Sequence, residues 1–218
     1  MERLPHDYPW TTDAVAGVLD IVRFEPVEEP LAGFDVSGLR AVVAVGSNAA
    51  PEVLASKLPT ARVPFVPVTM LDVAIGHSAH VSVRGFTAAA PYPCPGARTP
   101  VTISWLDADA LAALDATEPN YDRVSLASIG GSLDAGSAVR LLPEPDQIDL
   151  YVSWHGVVRS DRPWPFRSQR ELFADLARTP DAAVAEAFSG DVVEVSARLA
   201  ADPDLRARLT EHLHSPMT

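Results

Sequence analysis

Three residues in a row, Gly46-Ser47-Asn48, stand between an apolar run and a helix-like stretch, and they are the first place to look for chemistry. The run before them, 39–45 (LRAVVAV), is short and rich in β-branched residues, which marks a buried strand. Pro51 follows, then EVLASKL, with Val53, Leu54 and Leu58 at helical spacing. Proline fits a first helical turn because its missing N–H would be unpaired there anyway. Backbone N–H groups at such a strand–turn–helix junction can hold a carboxylate, a phosphate or a developing oxyanion. The alternative is a simple turn, with Gly46 supplying unusual dihedrals and Ser47 or Asn48 capping the helix. The segment is not a P-loop, because GxxxxGK(S/T) is absent and Lys57, the only lysine, lies too far along. GxGxxG and GxSxG are absent here as well.

Glu118 is the second candidate. It follows the largely apolar stretch DADALAAL (107–114), abuts Pro119 and lies close to Asp115 and Asp122. A carboxylate held partly out of water at such a junction is suited to proton transfer near neutral pH. Its alternative is a surface glutamate at a helix end. The six histidines are weaker signals. His77 and His80 are three apart, so in a strand they face opposite sides and make a poor metal pair. His155, in SWHGVV, is either a base or a hydrogen-bonded, partly buried histidine. Cys94 sits between two prolines with no evident base partner. Trp10, Trp164 and Phe166 lie in proline-rich stretches, as loop anchors or as covers over a pocket.

The elements that must position these residues follow from pattern. A short helix is expected over 13–22 (DAVAGVLDIV), capped by Thr11 or Thr12, and an irregular connection over EPVEEPLAGF. Residues 63–84 alternate as strands, AAPYPCPGARTP reads as a proline-rich loop, and VTISWL as a strand. A helix over 107–114 has Asp107 as its N-cap and ends near Glu118, because the residue before proline is biased away from α. Strands are expected over 120–127, 136–142 and 149–158. Helices are expected over 168–177, 181–188 and 192–213. Strands followed by helices make the class α+β.

Composition narrows the function classes. The 218 residues carry 29 acids against 17 Lys and Arg, a net charge of −12. That argues against nucleic acid, whose phosphates need Lys and Arg, and against an anionic membrane surface. One cysteine excludes an intrachain disulfide and a thiolate zinc cluster. No apolar run reaches the roughly 20 residues of a membrane span, and MERLPHDYPW lacks a signal-peptide pattern. A soluble, cytoplasmic protein is expected.

Order and spacing together carry more than either candidate alone. VVAVGSNAAPEVLASKL is followed by VTISWLDADALAALDATEPNYDRVSL, which places Glu118 72 positions after Gly46. With Trp105, Leu111, Leu114, Asp115 and Tyr121 in register, this resembles the γ-glutamylcyclotransferase-like family, which includes the AIG2-like and BtrG-like proteins. The resemblance covers roughly 38–158, read as the core. It leaves 1–37 as an N-terminal flank packed on that core and 159–218 as a C-terminal helical extension.

What the resemblance implies is a small, barrel-like mixed sheet with flanking helices and a pocket between the GSN loop and Glu118. It further implies Glu118 as general acid/base, with Gly46, Ser47, Asn48 and Tyr121 binding a small γ-glutamyl-like substrate. The products are 5-oxoproline and an amine or amino acid, with no metal or organic cofactor. The helical tail is a candidate cover for the site or a candidate homodimer contact. Two positions depart from the family's pattern: Val45 replaces a tyrosine and Pro119 a glycine. These motivate a second reading, a non-catalytic ligand-binding or scaffold protein. A third is an amide hydrolase with His155 as base. Arg84 and Arg123 are candidate donors to an anionic substrate, or else ordinary ion-pair residues.

Overall fold

A computed structural model describes residues 3–10, 16–58, 61–134 and 142–214. The chain groups into two compact units built from non-contiguous segments: 11–74 with 91–152, and 1–10 with 75–90 and 153–218. This grouping cuts across the linear division into flank, core and extension. The first 37 residues are shared between the units, and the C-terminal helices share theirs with 75–90.

The sheet unit contains β1 (Gly17–Asp20), β2 (Arg23–Pro26), β3 (Arg40–Ala44), α1 (Pro51–Lys57), β4 (Arg62–His77), β5 (Ala89–Leu106), α2 (Ala108–Asp115), β6 (Tyr121–Ser125), β7 (Ser132–Asp134) and β8 (Ile148–Ser153). The ends of β4 and β5 that join at 75–90 belong to the other unit. The strand order is β2-β1-β4-β5-β3-β8-β6, with β7 paired to β4. β3 runs parallel to β8, whereas its pairing with β5 is antiparallel. The sheet is therefore mixed, the class is α+β, and among the described residues the strand path is open. The unbroken apolar run of β3 follows from its central place: Ala41, Val42, Val43 and Ala44 are all buried.

Two expectations are corrected here. The helix over 13–22 is replaced, within its described part, by strand β1. Leu19 is fully buried, and β1 is hydrogen-bonded on both sides, to β2 and to β4. Sheet pairing outweighs the weak helical periodicity of so short a stretch. The proline-rich segment is not a loop but lies wholly within β5. Pro91, Pro93 and Pro95 alternate, so their missing N–H groups fall along one edge of the strand, and the intervening residues keep their donors for the other. Most of the strand expected over 136–142 lies outside the described residues, as do Thr11 and Thr12.

A chain of charges ties β3, β6, β8 and α2 together. Asp149 is buried, with 5% of its side chain exposed. It accepts hydrogen bonds from Arg40 Nε and Nη2 (2.8 and 2.6 Å) and from Arg123 Nη1 (2.6 Å). Arg123 also grips Asp115 through Nε and Nη2 (2.8 and 3.0 Å), and the Tyr151 hydroxyl donates to Asp115 at 2.7 Å. Burial alone would raise the Asp149 carboxyl, but the Arg40 and Arg123 hydrogen bonds outweigh it and hold it below the usual carboxylate value. The Arg123 hydrogen bonds lower Asp115 likewise.

The helical unit contains α3 (Gln169–Leu176), α4 (Ala182–Ala187), α5 (Val192–Ala201) and α6 (Pro203–His214). Each start carries its sequence signal. Ser168 and Glu171 form a reciprocal capping box, Asp181 and Asp191 cap α4 and α5, and Pro203 divides the expected 192–213 helix in two. Leu172, Phe173, Leu176, Val184, Phe188 and Val195 fill the core with Ala79 and Val81. Gln169 clasps Thr87 at both N–H and carbonyl (2.8 and 2.9 Å). Gly85 must be glycine: its φ is +77°, and a Cβ there would lie 2.0 Å from the Ser196 carbonyl oxygen. Among the described residues, no helix is long and apolar enough to cross a membrane.

Two predictions follow from these packings. Replacing Asp149 by Ala leaves Arg40 without its carboxylate and Arg123 with Asp115 alone, and the unfolding free energy should fall by about 3 kcal/mol in urea titrations. His77 and His80 are buried in the helical unit, and burial pushes each ring down to about 4. The unfolded chain takes up these protons from about pH 6.5, so it binds more protons than the fold does in between. Stability is therefore complete above about pH 6.5 and is lost as pH falls toward 4. Urea titrations at pH 7 and 4.5 should differ by at least about 2 kcal/mol, and H77Q should flatten that dependence.

Candidate functional site

Gly46–Ala49 forms one turn of 3₁₀ helix directly after β3, and Gly46 takes a φ of +61°, a left-handed conformation that suits glycine. The Ala50 N–H closes the turn on the Ser47 carbonyl at 3.1 Å. Helix α1 then starts at Pro51 with Ala50 as its N-cap and no side-chain cap. Asn48 is buried and is not spent on capping, contrary to the simple-turn alternative. Its side chain turns the other way, and its Nδ2 donates to Glu118 Oε1 at 3.0 Å, across 70 residues of sequence.

Glu118 is brought there by the end of α2. Asp107 starts that helix by accepting from the Ala110 N–H at 2.8 Å, and Ala110 and Leu114 face the core. Past Asp115 the chain leaves the helix in tight turns: the Thr117 N–H bonds the Leu114 carbonyl (2.9 Å) and the Glu118 N–H the Asp115 carbonyl (3.1 Å). The Tyr121 N–H bonds the Glu118 carbonyl at 3.0 Å before β6 begins. Because the Asp115 side chain is gripped by Arg123 and Tyr151, the backbone that carries Glu118 is fixed from both sides.

The third member is Lys57, whose spacing from Gly46 does not fit a P-loop but whose place at the end of α1 brings it to Glu118. Lys57 is the last residue of α1, and its Nζ donates to Glu118 Oε1 at 2.6 Å and to Asn48 Oδ1 at 2.7 Å. Asn48, Lys57 and Glu118 thus close a triangle of hydrogen bonds in which one carboxylate oxygen accepts from both an amide and an ammonium. The lysine and glutamate side chains are 17% and 14% exposed, so the triangle is sheltered but reachable. Behind Asn48 lies a cavity of about 10 Å³ lined by Val42, Ala44, Leu54, Ser104 and Leu114. It is room for about one water and none for a substrate group. The signal that could have found Lys57 is the helix itself: its apolar positions fix the face of α1, and Lys57 is the one lysine in the chain.

The remaining candidates fall elsewhere. Tyr121 packs against the cluster of Leu106, Leu114 and Tyr151 as well as bonding Glu118 through its backbone. Arg123 is committed to Asp115 and Asp149, an ion-pair role rather than a substrate donor. In the helical unit, Arg84 lies over the Trp10 ring and donates to the Arg3 carbonyl. Phe166 stacks on His77, and Trp164 packs against the helical core. His155 belongs to that unit too, with its Nδ1 3.1 Å from His214 Nε2. The hydrogen bonds described for the Glu118 carboxylate go to Asn48 and Lys57, not to a histidine. Among the described residues, no group of three His, Cys, Asp or Glu is arranged to hold a metal ion.

The coupling between Glu118 and Lys57 is measurable. In a double-mutant cycle of Glu118→Gln and Lys57→Met, the double variant should be more stable than the two single losses predict, by about 1 kcal/mol or more. Urea unfolding of the four proteins checks this.

No protein-family model and no curated protein sequence matches the chain. Among solved structures it is similar to a γ-glutamyl cyclotransferase, with 12% identity over 82% of this chain and 89% of that one and a TM-score of 0.42. It is similar to the same degree to an uncharacterized protein from Homo sapiens, with 13% identity, the same coverage and a TM-score of 0.42.

Proposed function

We propose that the protein is a γ-glutamylcyclotransferase-like enzyme that releases 5-oxoproline from a γ-glutamyl amide or peptide, with Glu118 as its general acid/base. The observation that carries this reading is the 3.0 Å hydrogen bond between Asn48, on the GSN turn, and the Glu118 carboxylate. It joins the two motifs that carry the sequence resemblance. The substrate supplies its own nucleophile. Glu118 takes a proton from the substrate's α-ammonium, and the freed amine attacks the δ-carbonyl and closes a five-membered ring. The turn at Gly46, Ser47 and Asn48 holds the γ-glutamyl group, its amides facing the developing oxyanion, and Tyr121 borders the site. The C–N bond to the leaving amine then breaks as Glu118 returns its proton to that nitrogen, and the second proton of the ring nitrogen passes to the released amine, which departs as an ammonium.

Such a reaction makes modest demands on the protein. Holding a nucleophile and carbonyl of one molecule in near-attack geometry supplies several kcal/mol. Proton transfer by one placed carboxylate adds about 10²–10⁴-fold. Neither a serine triad nor a metal is required by this route.

The 2.6 Å contact of Lys57 with the same oxygen favours a second reading, a ligand-binding or scaffold protein without turnover. A panel of γ-glutamyl amino acids and amines, assayed for 5-oxoproline, separates the two. The enzyme reading expects release that falls about 10²–10⁴-fold in Glu118→Gln. Unchanged release in that variant removes Glu118 from the mechanism. Ligand binding without release, surviving Glu118→Gln, supports the second reading.

A further inference from the structure

Lys57 has no task in the reaction as written, yet its ammonium touches the side chains of both Asn48 and Glu118. Its Nζ holds a hydrogen-bonding position on Glu118 Oε1 for which a ligand's ammonium would compete. A ligand that brought only a positive charge would set two cations side by side in a place with little water, and both would lose by it. A ligand that brought only a negative charge would meet Glu118. The pair can open without leaving a charge unmatched only for a ligand that carries both signs on neighbouring atoms.

We propose that Lys57 is a specificity-determining residue that selects ligands with a free zwitterionic α-amino acid head. The ligand's ammonium replaces the Lys57 ammonium on Glu118, and Lys57 turns to the ligand's carboxylate. One internal ion pair is exchanged for two intermolecular ones, and the net charge of the site does not change. Lysine suits the exchange because its charge is compact, its stem flexible and its three donors rotatable. The residue stands at the end of α1, where the side chain is not confined by a further helical turn. The inference rests on the reading of Glu118 as the group that receives the ligand's ammonium, and it assigns recognition of the ligand's α-carboxylate to Lys57.

Calorimetric titration with three probes tests it. L-glutamine carries both charges, 4-aminobutanamide lacks the α-carboxylate, and glutaramic acid lacks the α-amine. The wild-type protein should bind L-glutamine at least about tenfold more tightly than either analogue, the factor of one charge-assisted hydrogen bond. Lys57→Met should bind L-glutamine no more tightly than 4-aminobutanamide, and Lys57→Arg should keep the wild-type preference. Thermal melting of each variant shows that it is folded. Equal wild-type binding of L-glutamine and 4-aminobutanamide overturns the inference. So does an unchanged preference in Lys57→Met, or no binding of L-glutamine at millimolar concentration. The two proposals fail separately. Lysine-dependent binding of L-glutamine with no 5-oxoproline from any γ-glutamyl compound sinks the cyclotransferase alone. Lactam release as fast from an N-substituted 4-aminobutanamide, which yields 2-pyrrolidinone, as from the matching γ-glutamyl amide, which yields 5-oxoproline, sinks the role of Lys57 alone.

Discussion

Asp149 lies on β8 with its carboxylate almost out of water, a placement that costs several kcal/mol unless the charge is matched. Two guanidinium groups match it, one from β3 and one from β6. The three strands are adjacent in the sheet order, so the cluster spans β3, β8 and β6 at one level. Its reach does not stop at the sheet. Arg123 uses its remaining donors on Asp115, and Tyr151 adds a third bond to that carboxylate. Asp115 is the last residue of α2, and its carbonyl accepts the Glu118 N–H. The position of Glu118 is thereby referred, through Asp115, Arg123, Asp149 and Arg40, to three neighbouring strands at one end of the strand order.

The GSN turn is referred to the same sheet by a different route. β3 carries Arg40 at its start and delivers the chain to Gly46 two residues past its end. The left-handed Gly46 turns the backbone, and the 3₁₀ turn aims Asn48 inward rather than toward the helix. Helix α1 then returns its last residue to the same place. It needs no long reach: seven residues rise about 10 Å, and the lysine stem covers part of the way back. The triangle of Asn48, Lys57 and Glu118 is thus made by three short pieces of chain, each fixed by backbone bonds of its own.

Much of this was legible in the sequence because it is local. The strand before Gly46, the helix after Pro51 and the Asp107 cap are each written in a few neighbouring residues, and each stands where its signal says. Asn48 and Glu118 were both singled out, and their side chains meet. What was not legible is partner choice over distance. Asn48 was weighed as a cap because a cap is the nearest use for a buried asparagine. Lys57 was dismissed for failing a phosphate-binding spacing, although its partner lies 61 residues away. Strand β1 was mistaken for a helix because its stability comes from β2 and β4, which local periodicity does not contain. The proline-rich part of β5 has the composition of a loop, and only the alternation of Pro91, Pro93 and Pro95, which keeps one edge bondable, marks it as a strand.

The use of the two basic residue types sharpens what the site is for. The chain has 17 basic residues and a single lysine, so arginine is its ordinary cation. Arginine stands where a charge must stay: Arg40 meets Asp149 with two nitrogens, and Arg123 divides its fork between two carboxylates. A planar fork held on several sides does not leave easily. Glu118 could have been neutralised in the same way. It is met instead by the one cation in the chain that binds as a point charge on a flexible stem. A fixed partner would have made Glu118 a structural residue like Asp149. A movable one keeps the carboxylate oriented while leaving it able to change partners, which is what the exchange proposed for Glu118 requires.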